Sequence, residues 1–223
     1  MCICALLPRI ETRTRVILVV HQLEARKPTN TGLIAARCLG NGRVAYRGRR
    51  PEGEQRHALC TSPPAHPELH ALIPDGSRPL ILYPHDGATP IETFRGSAAP
   101  LTLIVPDGTW RQAARTRARL AQRFGGEAAL PCVTVSPTSS PAVRRRLRTG
   151  ARPERLATLE ALALALGVLE GPAVEASLLH VFRVMTERTL WTNGRVDAAA
   201  VTGGIPSGAR PHDPLGRGTG GAS

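Results

Sequence analysis

The run Asp107-Gly108-Thr109-Trp110 combines a carboxylate, a hydroxyl and an indole with the residue types of a tight turn. If the run joins a strand to a helix, it lies where ligands bind in open α/β sheets, because helix N-terminal N–H groups and loop side chains converge there. The simpler alternative is that Asp107 only caps the helix, which would stabilise it by about 1 kcal/mol, and that Trp110 is an ordinary core residue.

The flanking pattern predicts the elements that would position this turn. Residues 101–105 form a nearly all-apolar, partly β-branched run, which is typical of a strand buried on both faces of a parallel sheet. We expect Pro106 to end this strand. After the turn, alanines recur with Trp110 on one face at helical spacing. The segment therefore predicts a strand, a tight turn and a helix.

The same alternation recurs along the chain. Further strands are predicted at residues 16–20, 80–83 and 130–135, and further helices at residues 33–39, 156–169 and 174–190. Asn30 or Thr31 would cap the first of these helices. Strands that alternate with helices imply crossover connections, so the expected fold is α/β with a mainly parallel sheet flanked by helices.

The helix predicted at residues 156–169 is strongly apolar, and Thr158 and Glu160 are its only polar side chains. A carboxylate in so apolar a setting needs a hydrogen-bonding or charged partner. Glu160 is therefore the second candidate for a functional residue.

The charge balance favours a polyanionic partner. The 223 residues include 29 Lys and Arg against 17 Asp and Glu, a formal net charge of +12, and nearly all of the cations are arginine. Arginine side chains match phosphate geometry and stack on bases, which points to nucleic acid. Basic patches lie at residues 43–50 and 144–155. The alternative is that a GC-rich genome encodes arginine-rich surfaces in general.

Cysteine usage and hydropathy indicate the compartment. The 5 cysteines are scattered except for Cys2 and Cys4, and a closed zinc site needs four ligands, so two free thiols are the favoured interpretation. No apolar run reaches the roughly 18 residues of a membrane span, and no secretory signal is evident. We expect a cytoplasmic protein with no membrane attachment and no obligate protein partner.

The predicted organisation has three parts. Residues 1–15 form an N-terminal segment, residues 16–194 form the catalytic domain, and residues 195–223 form a Gly/Pro-rich tail. The tail lacks hydrophobic periodicity, so we expect it to be disordered.

Taken together, these residues resemble the DTW-domain family, whose Asp-x-Thr-Trp signature stands here at residues 107–110. Other stretches are similar to the family in the same order, namely Cys2-x-Cys4, Asn30-Thr31-Gly32, Tyr83-Pro84, Arg146-Leu147-Arg148 and Thr158-x-Glu160. Family members are similar to tRNA-uridine aminocarboxypropyltransferases. They are related to SPOUT-type enzymes, so the resemblance implies a SPOUT-like sheet with a trefoil knot, a feature that hydrophobic patterns do not predict.

The resemblance also implies a reaction and a set of site residues. The 3-amino-3-carboxypropyl group of S-adenosylmethionine would pass to N3 of a tRNA uridine, with release of methylthioadenosine, and Asp107 would accept the proton. The implied cofactor-binding residues are Thr31, Leu82, Tyr83, Pro84, Gly108, Thr109, Trp110, Leu147, Thr158 and Glu160. The implied tRNA-binding residues are Arg43, Arg47, Arg111, Arg144, Arg145, Arg146 and Arg148.

The chain departs from the family pattern at two places. Many relatives carry two further cysteines upstream of the C-x-C pair, so residues 1–15 resemble the remnant of a zinc-type motif and we expect no metal in this chain. The family often has tyrosine at the position of Arg145.

Two other functions are compatible with much of the sequence. A SPOUT-like RNA methyltransferase would use the same cofactor but release homocysteine. A non-enzymatic RNA-binding module would explain the arginine content but would leave the 107–110 run and the buried Thr158-x-Glu160 pair without a role.

Overall fold

A computed structural model describes residues 2–27, 29–47, 69–136 and 156–211. Six strands form one sheet in the order β2-β1-β5-β3-β6-β4, and every pairing is parallel. The strands are β1 (Arg15–His21), β2 (Arg43–Arg47), β3 (Arg78–Leu82), β4 (Thr89–Pro90), β5 (Leu101–Asp107) and β6 (Cys132–Thr134). The helices are α1 (Thr31–Cys38), α2 (Trp110–Arg123), α3 (Thr158–Glu170) and α4 (Pro172–Thr192). The α/β prediction is confirmed.

The helices cover both faces of the sheet, because successive side chains of a strand point to opposite faces. In β1, Leu18 belongs to the larger core that α1, α3 and α4 complete, with Leu162 and Phe182 among its members. Ile17 belongs to a second core on the opposite face, which includes Leu120 of α2. The continuous apolar run of β1 is therefore the consequence of burial from two sides.

This arrangement creates a crevice at the carboxyl ends of β1 and β5. The two strands are neighbours in the sheet, yet α1, which follows β1, covers one face and α2, which follows β5, covers the other. Connections that leave adjacent parallel strands toward opposite faces separate the loops at that edge, and ligands bind in the resulting crevice. The run at residues 107–110 lies there.

The prediction that Pro106 ends its strand is wrong. Pairing between β5 and β1 continues through Asp107, whereas pairing between β5 and β3 stops at Ile104. At position 106 the strand therefore has a neighbour on one side only, a position that tolerates a residue without an N–H group. The extra two residues place the Asp107 carboxyl group inside the sheet edge instead of in a loop.

Residues 195–211, the described part of the Gly/Pro-rich tail, make defined contacts with the rest of the chain. A short 3₁₀ turn spans Ala198–Ala200, and Val201 is buried. The Arg188 side chain, only 5% exposed, anchors this stretch and the N-terminus by donating three hydrogen bonds to the backbone carbonyls of Cys2, Gly203 and Gly204. Glu187 accepts the N–H of Thr202 over 2.7 Å, so polar side chains of α4 and one buried valine, and not a periodic apolar pattern, hold this Gly-rich segment.

Within the described ranges, no helix combines the length and apolar character needed to cross a bilayer.

Candidate active site

A buried carboxylate lies at the centre of the crevice. Asp107 is 6% exposed, and each of its carboxylate oxygens accepts a hydrogen bond from a different segment of the chain. Asn30 Nδ2 donates to Oδ2 over 2.7 Å, and Thr158 Oγ1 donates to Oδ1 over 2.6 Å. Hydrogen bonds to an ionised group are about twice as strong as neutral ones. One carboxylate thus joins the end of β5, the start of α1 and the start of α3.

Asn30 is held in place as the N-cap of α1. Its Oδ1 accepts the N–H of Leu33 over 2.7 Å, while its Nδ2 points to Asp107 and also contacts the carbonyl oxygen of Glu24 at 3.3 Å. The amide group therefore has a fixed orientation: its oxygen satisfies a free helix N–H, and its nitrogen faces the carboxylate.

Gly32 allows α1 to approach the carboxylate. A Cβ atom at this position would lie 2.9 Å from Leu18 Cδ1 and 3.1 Å from both Cγ and Oδ1 of Asp107. Only glycine leaves room for the side chain of Asp107 to reach Asn30 and Thr158 without displacement. The Asn30-Thr31-Gly32 turn therefore serves the site through its first and third residues, while Thr31 begins the helix half-buried.

The cap of α2 is Thr109 and not Asp107. Thr109 Oγ1 accepts the N–H of Gln112 over 3.3 Å, and Gln112 Oε1 accepts the N–H of Thr109 over 2.8 Å, which forms a capping box. Gly108 supplies the sharp turn with φ of 150°, and a Cβ atom there would lie 2.9 Å from Gln112 Oε1. Because Thr109 caps α2, the side chain of Asp107 is available for contacts with other segments.

Two aromatic rings lie at the same edge. The centroids of Tyr83, just after β3, and Trp110, at the start of α2, are 6.0 Å apart with the planes tilted by 59°. Both residues are half-buried, Leu82 beside them is buried and Pro84 is exposed. This geometry is that of a favourable aromatic pair, and both side chains remain partly exposed.

Glu160 is 7% exposed and lies in the first turn of α3. Its Oε2 accepts the N–H of Ala157 over 2.9 Å. Alanine has no side-chain acceptor, so only the glutamate half of a capping box forms here. Thr158, in the same turn, donates to Asp107, whereas the hydrogen bond that Glu160 accepts from Ala157 is made within the start of α3.

A family model described as "DTW domain" matches residues 1–190. The chain belongs to the DTW-domain family. It is similar to "tRNA-uridine aminocarboxypropyltransferase 2" of Drosophila melanogaster, with 27% identity over 214 residues that cover 88% of this chain and 73% of the fly protein. It is also similar to the Mus musculus protein of that name, with 32% identity over 116 residues that cover 50% of this chain and 36% of the mouse protein. No solved structure gives a significant match.

The structure shows two direct contacts among the site residues predicted for this DTW-domain protein. Asp107 contacts Thr158 directly, and Tyr83 contacts Trp110. Leu147 and the basic residues Arg144, Arg145, Arg146 and Arg148 lie outside the described residues. Arg43 and Arg111 are exposed, and Arg47 is half-buried at the end of the edge strand β2.

Two residues that lie against Asp107 were not among the predicted site residues. Asn30 was predicted only as a helix cap, and Gly32 only as part of a turn. The signal was a polar cap followed at once by glycine ahead of an apolar helix. The preference for asparagine at helix N-caps accounts for the hydrogen bond that its side-chain oxygen accepts. It does not predict a partner for the side-chain nitrogen, and that partner, Asp107, is 77 residues away in sequence.

The cysteines do not assemble a metal site in the part of the chain that the structure covers. No group of three or more His, Cys, Asp or Glu with metal-ligand geometry occurs among those residues. Cys2 and Cys4 are exposed, and the Cys4 N–H, at 3.4 Å from the Cys2 sulfur, lowers the pKa of the Cys2 thiol. Burial raises the pKa of Cys38 and of Cys132 to about 11, which keeps these two thiols protonated and unreactive at neutral pH.

Proposed function

We propose that this DTW-domain protein transfers the 3-amino-3-carboxypropyl group of S-adenosylmethionine to N3 of a tRNA uridine in the cytoplasm, releasing methylthioadenosine. The observation that carries the proposal is the buried Asp107 carboxylate of the DTW signature, held by Asn30 and Thr158 at the crevice between β1 and β5. The names of the fly and mouse relatives support the same reaction.

The groups at the crevice fit the donor. The N-termini of α1, α2 and α3 lie at this sheet edge, and the partial positive charge of helix N-termini favours a carboxylate such as that of the aminocarboxypropyl group. Tyr83 and Trp110 offer ring surface for a purine. Glu160 offers a buried carboxylate for the amino group. When bound, S-adenosylmethionine supplies a sulfonium leaving group.

Each proposed binding residue has a defined place in this scheme. Leu82, Tyr83, Pro84 and Trp110 would hold the adenosine part, and Gly108 and Thr109 would present the first N–H groups of α2 to the carboxylate. Thr31 and Thr158 would line the side formed by α1 and α3, and Leu147 is proposed to complete the site. The protein must orient one of three carbons bonded to sulfur toward the uridine, and alignment of this kind can supply several kcal/mol of rate enhancement.

Asp107 is proposed to accept the uridine N3 proton. Its two oxygens each accept one hydrogen bond, and an ionised carboxylate has about four acceptor sites, so a site remains for an incoming donor. The new bond joins N3 to the aminocarboxypropyl carbon, the carbon–sulfur bond breaks, and the N3 proton passes to Asp107. A positioned base of this kind typically contributes a factor of about 10² to 10⁴ in rate.

The proposal extends to the fold type. We infer a SPOUT-like sheet with a trefoil knot, supported by the all-parallel pairing and by the return of α3 to the end of β5 through the contact between Thr158 and Asp107.

The test is incubation of the purified protein with unmodified tRNA and S-adenosylmethionine labelled in the aminocarboxypropyl chain. We expect the label to enter tRNA at a uridine and methylthioadenosine to be released in equal amount. A methylated tRNA with homocysteine release would identify an RNA methyltransferase instead. Binding of tRNA with no transfer and no affinity for S-adenosylmethionine would leave an RNA-binding module.

Glu160→Gln is expected to weaken S-adenosylmethionine binding by about tenfold or more, because a hydrogen bond to a charged group contributes about 1.5–3 kcal/mol. Glutamine at the third helical position also accepts the N-cap N–H, so the contact with Ala157 and the fold should persist. Isothermal titration calorimetry gives the affinity. Glu11→Gln removes a charge from an exposed glutamate that precedes β1, at the opposite edge of the sheet, and should leave that affinity unchanged. Equal binding by the wild type and Glu160→Gln would exclude this role for Glu160.

A further inference from the structure

Four arginines follow one another along the solvent side of α2. Arg111, Arg115, Arg119 and Arg123 are spaced four residues apart, and all four are exposed. We name them the arginine stripe. The buried residues of α2 are Ala113, Thr116 and Leu120, which face the sheet. The stripe is therefore the outer surface of the helix that begins at the DTW signature, and only Arg111 of its members was singled out by the sequence.

This charge pattern is unfavourable for the helix by itself. Like charges at i and i+4 destabilise a helix by roughly 0.2–0.5 kcal/mol per pair, and α2 contains no acidic residue. Arg111 lies in the first turn, where the helix dipole disfavours a cation. Arg117, on a different face, forms an ion pair with Glu127 over 2.8 Å. The stripe thus concentrates positive charge on one exposed face of α2, which suits an anionic partner.

A second element extends the stripe. Arg47 lies at the end of β2, and its pKa is lowered by burial and by the positive charge of Arg119. Ala45 of β2 and Leu120 of α2 belong to the same core, and Arg47, two residues after Ala45, lies on that face of the sheet, so the positive charges of the two elements repel each other. A site that brings cations together against their repulsion is suited to a polyanion, because phosphates neutralise several of them at once.

The dimensions suit a nucleic-acid strand. The helix rises 1.5 Å per residue, so successive members lie about 6 Å apart along its axis and the whole stripe spans about 18 Å. Its first member immediately follows Trp110. A strand that follows the stripe would have one end at the crevice that contains Asp107.

We propose that the arginine stripe, with Arg47, binds consecutive backbone phosphates of the tRNA and thereby delivers the target uridine to the crevice. This assignment rests on the proposed function for the identity of the partner. Its physical basis is independent of that function, because contacts to phosphates position a nucleic acid without reading its sequence.

The test compares Arg115→Gln/Arg119→Gln with the wild type in tRNA binding without cofactor, measured by fluorescence anisotropy at several salt concentrations. Each phosphate contact contributes about 0.7–0.9 to the slope of log K against log salt, so the slope should fall by roughly 1.4–1.8 and the affinity by about tenfold. The KM for tRNA should rise by a similar factor, with kcat and S-adenosylmethionine affinity unchanged. A double variant with lysine at the same two positions should retain most of the affinity.

The matched control is Arg183→Gln/Arg195→Gln. It removes the same charge from exposed arginines in and after α4, a helix that packs on the opposite face of the sheet from α2. If tRNA affinity and the slope of log K against log salt fall equally in both double variants, the cause is net charge and not the stripe, and the inference is wrong. If the wild type transfers the aminocarboxypropyl group and the stripe variant binds tRNA normally, the stripe is wrong while the proposed function holds. If the stripe variant loses tRNA affinity but the wild type has no transferase activity, the stripe is supported and the proposed function is wrong.

Discussion

Asp107→Asn is expected to lower the rate of aminocarboxypropyl transfer by at least about 100-fold, the lower end of what a positioned base supplies. The fold should persist, because the amide oxygen can still accept from Asn30 and the amide nitrogen can donate to the Thr158 hydroxyl, which is able to reverse its direction. Single-turnover transfer gives the rate, calorimetry gives the affinity for S-adenosylmethionine, and thermal unfolding reports on stability. Only the first should change greatly.

Thr158→Val separates proton transfer from positioning. It keeps the Asp107 carboxylate but removes the hydroxyl that donates to Oδ1. If Asp107 is the base, this variant should lose much less activity than Asp107→Asn. Equal losses in the two variants would mean that Asp107 acts by holding α3 in place, and undiminished turnover by Asp107→Asn would remove the carboxylate from the mechanism.

Gly32→Ala is expected to reduce transfer by about 10- to 100-fold, although alanine favours a helix by about 1 kcal/mol over glycine. The added methyl group would lie 3.1 Å from Asp107 Oδ1, the oxygen that accepts from Thr158. Such a contact requires the carboxylate to shift by a few tenths of an ångström, and a misplacement of about 1 Å can decrease a rate by about 100-fold. The transfer rate and the melting temperature should be measured together, because overpacking also destabilises by roughly 1–3 kcal/mol.

The same methyl group would lie 2.9 Å from Leu18 Cδ1, so the two contacts must be distinguished. Leu18→Val in the Gly32→Ala background removes that terminal methyl group and leaves the contact with Asp107. We expect the double variant to remain impaired. Recovery of wild-type activity would assign the effect to the core, and an active Gly32→Ala protein would show that the carboxylate position is not critical.

The sheet could be predicted because its strands are buried on both faces. The runs that became β1 and β5 are apolar nearly without interruption, and this pattern needs no knowledge of neighbouring strands. Pro106 was misjudged because the cost of a proline depends on whether a partner strand lies beside it, and β3 stops pairing at Ile104. The contacts of residues 195–211 could not be predicted from composition, because they depend on the buried Arg188 and on Glu187, both in α4, and on the burial of the single apolar residue Val201.

For the candidate site too, some features could be predicted from local sequence and others could not. Local sequence contained the signature at residues 107–110, the apolar setting of Glu160 and the glycine beside a helix cap. It could not pair Asp107 with Asn30, because a cap preference describes an asparagine oxygen and its own helix, whereas the nitrogen bonds to a strand 77 residues away.

The sequence by itself determined the α/β class, the DTW signature and the excess of arginine, because hydrophobic period, turn chemistry and charge are properties of short segments or of the whole composition. Only the tertiary structure decided that Asp107 is a shared hydrogen-bond acceptor and not a helix cap, and that α1 and α2 open a crevice by covering opposite faces. It also placed β2, the strand that ends at Arg47, in the same core as α2. These features depend on strand order and helix placement, which bring together groups that no local pattern relates.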